Sequence, residues 1–277
     1  MVKANGITLF LRKAWAFIRR DFLIQASYRM SFFTQWIGLF ISIFTLYYIS
    51  KLVDARASSY LAGYGVTYFP FVLVGIAATS YIGTSMNSFS SNVTREIWSG
   101  TLEAMLATPT SLSTIIFSLA LYNFIQATIN VLLYLLLGCL LLKVDLSQMN
   151  ILATTVVLIL TVISFSSIGL MAASLVVVFK KGDPILWAFS NISWFLGGVY
   201  YPITVFPQFL QTIAHFIPVT YSLRALRLAI LKGYTVGVLK QDIAALAVFC
   251  LILVPLSILV FRWAIKKAKQ SGSLAFY

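Results

Sequence analysis

The feature that most constrains this chain is a set of long uncharged runs. Ala57 to Thr94 contains no Asp, Glu, Lys or Arg, and neither does Ala104 to Leu142. Met30 to Ser50 is a third such run of 21 residues, enough to cross about 30 Å of hydrocarbon as a helix. Runs of this kind have no charged face to turn to water. In lipid they must satisfy their own backbone polar groups, and helices do so within one segment. Composition agrees: 60% of residues are apolar and 10% charged, against roughly 45–50% and about 25% in soluble domains. The expected fold is an all-α integral membrane protein. No segment is long and polar enough to fold separately, so residues 1–277 are expected to form one domain.

Between the first two runs lies a polar island, Arg95-Glu-Ile-Trp-Ser-Gly-Thr-Leu-Glu-Ala-Met-Leu-Ala-Thr-Pro109. It predicts a short helix at a membrane face. Thr101 is placed to cap it, Ile97, Leu102, Met105 and Leu106 form an apolar stripe, and Pro109 discourages continuation. Apolar on one side and charged on the other, it reads as a docking element.

Six spans are expected, over 31–53, 67–91, 113–142, 151–179, 184–201 and 242–261. Before them, residues 7–29 predict a basic amphipathic helix in the membrane interface. Leu11, Trp15, Ile18 and Phe22 recur at helical spacing, and Arg12, Lys13, Arg19 and Arg20 lie largely elsewhere around it. It is either a simple anchor or also a contact for a cytoplasmic partner. Its basic residues extend to Arg29 and the next run is long enough to span, which is unlike a cleaved signal. Residues 197–232 are rich in helix breakers, with Gly197, Gly198, Pro202, Pro207 and Pro218. The apolar stretch among them is too short to span, so two short re-entrant helices are expected over 202–230.

The net charge is +13, and the cations sit at the ends of apolar runs. That placement fits lipid headgroups and no nucleic acid. With six spans, 13 Lys and Arg fall on the side of the termini and 7 on the other. The positive-inside rule then puts both termini and the 95–109 island in the cytoplasm. The cations Arg224, Arg227, Lys232 and Lys240 fall on the outer side and fit that rule worst.

No Gly-x-x-x-x-Gly-Lys-Ser/Thr loop is present, so the chain shows no phosphate cradle for ATP. No Asp or Glu lies in the middle of an expected span, which argues against an ion-driven carrier and against an intramembrane acid–base enzyme. His215 has no cysteine or carboxylate near it in sequence, so it reads as an interfacial histidine and no metal site is expected. Cys139 and Cys250 lie in apolar runs and read as small buried hydrophobes. Ser164, Ser166 and Ser167 read as helix-packing residues. Tyr81, Asn87, Asn191 and Trp194 are candidates to face a path, or alternatively to pack helices. A bundle with a path and no energy source of its own is either passive or driven by another chain.

The polar island resembles the cytoplasmic coupling segment of type-2 ABC transporter permeases, Glu…Gly-Thr-Leu-Glu-x-Leu-x-x-(Ser/Thr)-Pro, with Met105 where leucine is common. Gly197-Gly-Val-Tyr-Tyr-Pro202, Pro207, Ile217-Pro-Val-Thr-Tyr221, Arg224 and Arg227 resemble the same family's extracellular segment between spans five and six. The resemblance implies a permease that pairs with a second permease chain, identical or related. It also implies two copies of a cytoplasmic ATP-binding subunit, which would hold the ATP and Mg. Glu96, Gly100, Thr101, Leu102, Glu103 and Pro109 would then form the ATPase-coupling element, with the helix bearing Arg12, Trp15, Arg19 and Arg20 beside it. A solvated helix face remains the alternative for Glu96 and Glu103. The implied function is ATP-driven export of a drug-like, lipid or lipid-linked glycan molecule across a plasma (inner) membrane. The alternative is a non-transporting scaffold or sensor subunit that binds an ATPase.

Overall fold

The computed structural model describes residues 6–61, 63–108, 110, 112–179 and 183–270. Among them every regular element is helical. Helix α1 spans Gly6–Ser27, α2 Arg29–Leu61, α3 Tyr68–Trp98, α4 Thr101–Leu106, α5 Leu112–Leu142 and α6 Ile151–Phe179. Then come α7 Asp183–Leu196, a 3-10 turn Ile203–Val205, α8 Gln208–Ala214, α9 Pro218–Leu231 and α10 Lys240–Gln270.

Five of these helices are long and apolar enough to cross a membrane: Phe33–Val53 in α2, Tyr68–Glu96 in α3, Thr114–Leu140 in α5, Ile151–Phe179 in α6 and Lys240–Ala268 in α10. The expected fifth span, 184–201, is not a helix of that kind. Helix α7 has 14 residues, about 21 Å at 1.5 Å per residue, short of the roughly 30 Å of hydrocarbon. It ends because Gly198 adopts φ +73°, the left-handed conformation that closes helices and that glycine adopts freely.

Helix α3 is the hub. It packs on α2, α5, α6 and α9, while α10 lies along α6. The nine residues Phe71–Thr79 are all buried. The α3 and α6 backbones come close at Gly169 of α6, where an added Cβ would lie 2.5 Å from the Met86 carbonyl oxygen and 2.6 Å from that of Ser85. Ser164, Ser167 and Ser174 of α6 are buried too, and small residues let membrane helices approach closely.

The largest apolar cluster runs along α3, α6 and α9, with Phe71, Met86, Phe165, Ala172 and Leu223 among its members, and smaller clusters lie toward the two ends of the bundle. At one end Phe89 and Val93 of α3, Ile116 and Ala120 of α5, Ala173 and Val177 of α6, and Phe261 and Ala268 of α10 form one cluster. Charged residues of α1 and α3 gather at this end, called here the charged end. At the far end Ala153 of α6, Ala229 of α9 and Leu239 pack together, and Phe69 and Leu73 of α3 meet Leu137 of α5.

The α3–α6 contact yields a paired prediction. Gly169→Ala should destabilise the protein by about 1–3 kcal/mol, because two backbone carbonyls must give way. Gly83→Ala on α3, where a Cβ meets nothing within 4 Å, should be neutral or stabilising by about 0.5–1 kcal/mol through helix propensity. Thermal unfolding of the detergent-solubilised protein reads both.

Candidate coupling site and polar groove

Helix α1 packs on α5 with its large apolar residues turned outward. Leu11, Trp15 and Phe22 are exposed, whereas Ala14 and Asp21, seven residues apart, are buried. The outward stripe suits a helix lying on lipid, and the inward line carries a carboxylate. Arg12 and Arg19 are exposed, and Arg20 is half-buried.

Arg20 joins α1 to the end of α3. Its Nη2 donates to Asp21 Oδ1 at 2.7 Å and to Glu96 Oε1 at 2.7 Å. Its Nε donates to Asp21 Oδ1 at 3.0 Å and its Nη1 to Glu96 Oε2 at 3.4 Å. Arg95 Nη2 lies 3.6 Å from Asp21 Oδ2 and 3.6 Å from Glu96 Oε1. The side chains of Asp21 and Glu96 are each only 4% exposed, and that of Arg20 is 31% exposed. Two buried carboxylates side by side need a shared cation, since an unpaired buried charge is strongly disfavoured. Burial opposes the charge on Arg20, but hydrogen bonds and attraction from Asp21 and Glu96 outweigh it and leave its pKa raised. Arg20 therefore carries its charge throughout the neutral range.

The same cluster reaches the coupling segment. The Thr101 hydroxyl, at the first residue of α4, donates to Glu96 Oε2, and Ser99 and Thr101 hydroxyls lie 2.7 Å apart. Gly100 between them has φ +69°, which lets the chain reverse sharply from α3 into α4. Two more contacts fix α1: Lys13 Nζ donates to Thr110 Oγ1 at 2.8 Å, and Tyr122 of α5 donates to Gln25.

This geometry revises the expected coupling segment. Residues 95–98 are the last turn of α3, and only Thr101–Leu106 form a separate helix. Glu96 is not on a solvated face but buried and internally paired, because Arg20 offers a closer partner than water. The Leu102 and Glu103 side chains and Pro109 lie outside the described residues, as do those of Ile97 and Leu106. Trp98 was not singled out by its sequence pattern, yet it is 86% exposed at the end of α3. A bulky aromatic next to a glycine turn was the available signal.

Toward the middle of the bundle, two adjoining cavities of about 300 and 270 Å³ open between α2, α3 and α5. Gln35 and Asn130 line both. Asn87, Asn123 and Gln126 line the first, and Thr79, Tyr134 and Trp194 the second. Apart from Trp194, these come from amides and hydroxyls, and among the described residues neither cavity has a charged side chain in its lining. Of the four expected path residues, Asn87 and Trp194 are therefore on this groove. Tyr81 instead ties α3 to α5 through a 2.6 Å hydrogen bond to Thr128. Asn191 donates to the Trp187 carbonyl on its own helix and lines neither cavity.

At the far end the prolines each start a helix. Pro202 precedes the 3-10 turn, Pro207 precedes α8, and Pro218 occupies the first turn of α9, where the missing N–H goes unneeded. Buried Arg227 of α9 holds the break after α7. It donates to the carbonyls of Phe71, Gly198 and Val199 at 3.1, 2.8 and 2.7 Å, with its guanidinium 3.5 Å from the Phe71 ring centroid. Burial pulls its pKa down to about 10, opposed by Tyr64 and Tyr68, so it remains charged at neutral pH.

Five helices long and apolar enough to span, with a charged cluster at one end and a proline-broken segment at the other, define a helical membrane protein. The sequence profile of the family described as ABC-2 type transporter matches residues 12–231. The chain belongs to that family and is a transmembrane permease subunit of an ABC transporter. Such permeases generally work with an ATP-binding subunit and are generally not catalytic themselves. A comparison with curated proteins finds no match.

The ion cluster yields a double-mutant prediction. Glu96→Ala should cost about 3 kcal/mol, the low end for a buried pair because Arg20 keeps some water. Arg20→Ala should cost a similar amount by leaving two carboxylates facing each other. The pair together should cost less than the sum, with a coupling of about 1–3 kcal/mol. Unfolding free energies in mixed micelles measure all three.

Proposed function

We propose that the chain is the membrane half of an ATP-driven exporter, with α4 receiving movement from a separate ATP-binding subunit and α1 and α3 carrying it to the bundle. The observation that carries this reading is the buried Arg20–Asp21–Glu96 cluster with Thr101 attached. It makes α1, the end of α3 and the start of α4 one mechanical unit. Gly100, Thr101, Leu102, Glu103 and Pro109 supply the docking surface, and Trp98 anchors it. Glu96 serves from inside, as the post to which the segment is tied. Two ATP-binding subunits, holding ATP and Mg, act on a pair of permease chains, so that α4 is engaged in each half.

Six crossings of the plasma (inner) membrane, with both termini cytoplasmic, fit the packing. The ends of α6 and α10 share the charged-end cluster, while Val199 lies against Arg227 and α3 near Phe71. On this reading α7 lies within the fifth of the six crossings, between Phe179 and Val199. The 3-10 turn, α8 and α9 then form the re-entrant outer segment, shaped by Gly197, Gly198, Pro202, Pro207 and Pro218. The groove lined by Asn87, Asn130 and Trp194 belongs to the translocation path. Its amides and hydroxyls suit a neutral, polar portion of the substrate, which favours a lipid-linked glycan over a cationic drug. A scaffold without transport would have no use for a polar groove at membrane depth, where such groups are costly unless they serve a path.

Trp98→Ala and Glu103→Lys should leave membrane insertion intact and release the ATPase. A buried tryptophan anchor contributes about 2 kcal/mol or more, roughly thirtyfold in Kd. Co-purification of an ATP-hydrolysing subunit with the tagged chain measures this, and retention by both variants would sink the docking assignment. Asn87→Leu with Asn130→Leu should keep the ATPase bound but remove its stimulation by substrate in reconstituted vesicles. Undiminished stimulation would remove the groove from the path.

A further inference from the structure

The four far-end cations that fit the positive-inside rule worst do not share one role. Arg227 is spent on three carbonyls, and Lys232 donates to the Gly63 carbonyl at 2.9 Å. Arg224 is different. It projects from α9 into a cavity of about 590 Å³ between the end of α2, the 3-10 turn, α8 and α9. Its side chain is 53% exposed, and its one ionic partner is Asp242, 3.8 Å from Nε. Its two Nη groups make no hydrogen bond among the described residues. The volume falls in the range of ligand sites, roughly 300–1,000 Å³.

Among the described residues the lining carries one sign of charge. Arg224 and Arg227 are joined by His215, the phenol side chains of Tyr60, Tyr64 and Tyr221, and Thr204 and Gln211. Among the described residues no carboxylate lines the cavity. Arg227, buried and held by three carbonyls, supplies positive potential from the wall of the cavity. Arg224 supplies a planar fork suited to two oxygens of one anion. Tyrosines add hydroxyl donors and aromatic walls.

We propose that this far-end cavity is an anion site, which takes a phosphate-bearing group with Arg224 as its principal donor. The group is either the headgroup of an anionic lipid or a soluble phosphate compound. The site is separate from the polar groove, which has no charged side chain among the described residues, and from the coupling end. It therefore does not depend on the transport reading.

The test uses the full chain in nanodiscs of neutral phosphatidylcholine. In one arm pyrophosphate is titrated in and its binding is read by calorimetry. In the other, phosphatidylglycerol is added to the disc and its retention is read by native mass spectrometry after transfer to detergent. Binding of pyrophosphate identifies a soluble source, and selective retention of phosphatidylglycerol alone identifies the lipid. Arg224→Gln should weaken whichever binds by about tenfold, as expected for loss of a charge-assisted pair. That variant also deprives Asp242 of its partner, so Thr204→Glu provides a second test. It places a carboxylate in the lining, leaves the Arg224–Asp242 pair in place, and should weaken binding as well, whereas Thr204→Gln should not. No binding in either arm overturns the proposal. So does wild-type binding in Thr204→Glu.

Discussion

Everything at the charged end depends on one guanidinium. Asp21 and Glu96 are both buried, and Arg20 reaches both at 2.7 Å. Remove that cation and two buried carboxylates are left with only the more distant and more exposed Arg95, 3.6 Å from each, which weakens the hold of α1 on the end of α3. The position of α1, the entry into α2 and the start of α4 are thus set by the same few atoms. Lys13 and Gln25 add contacts on either side of Arg20. Three attachment points over 12 residues, about 18 Å of helix, resist tilting in a way that one contact could not.

The opposite end uses a cation differently. Arg227 has no carboxylate partner among its hydrogen bonds and instead gathers three carbonyls, two of them from the break that follows α7. It thereby fastens the broken segment to α3, the same helix that ends in Glu96. Helix α3 runs between the two charged anchors and touches α2, α5, α6 and α9 on the way. Packed interiors have low compressibility and transmit displacement. On the proposed function, a push at Trp98 or α4 would reach the groove and the broken segment through this one helix.

Much of this architecture was legible in the sequence because lipid leaves few choices. Uncharged runs of sufficient length must be helices, and α2, α3, α5, α6 and α10 fall where those runs predict. The basic helix and the prolines that begin the short helices were legible for the same local reasons. The length of α7 was not: Gly197 and Gly198 read as helix breakers, but the expected span was carried past them to 201, whereas Gly198 already turns the backbone at φ +73°. Nor was the role of Glu96. Its spacing to Gly100 and Glu103 marks a segment, but its partner Arg20 lies 76 residues away in sequence. Arg227 was equally hidden, since its ligands are carbonyls, which carry no residue signature.

The central claim is that α1 and the coupling segment move as one body. The most direct measurement joins them covalently. With Cys139→Ala and Cys250→Ala as background, Lys13→Cys and Thr110→Cys would be linked by a short bis-maleimide in the assembled transporter. ATP-driven transport would then be measured in vesicles. If the two elements form a rigid lever, the linked protein should transport at the rate of the unlinked one. If α1 must part from the segment in each cycle, linking should abolish transport while leaving the ATPase bound, and the account would be wrong.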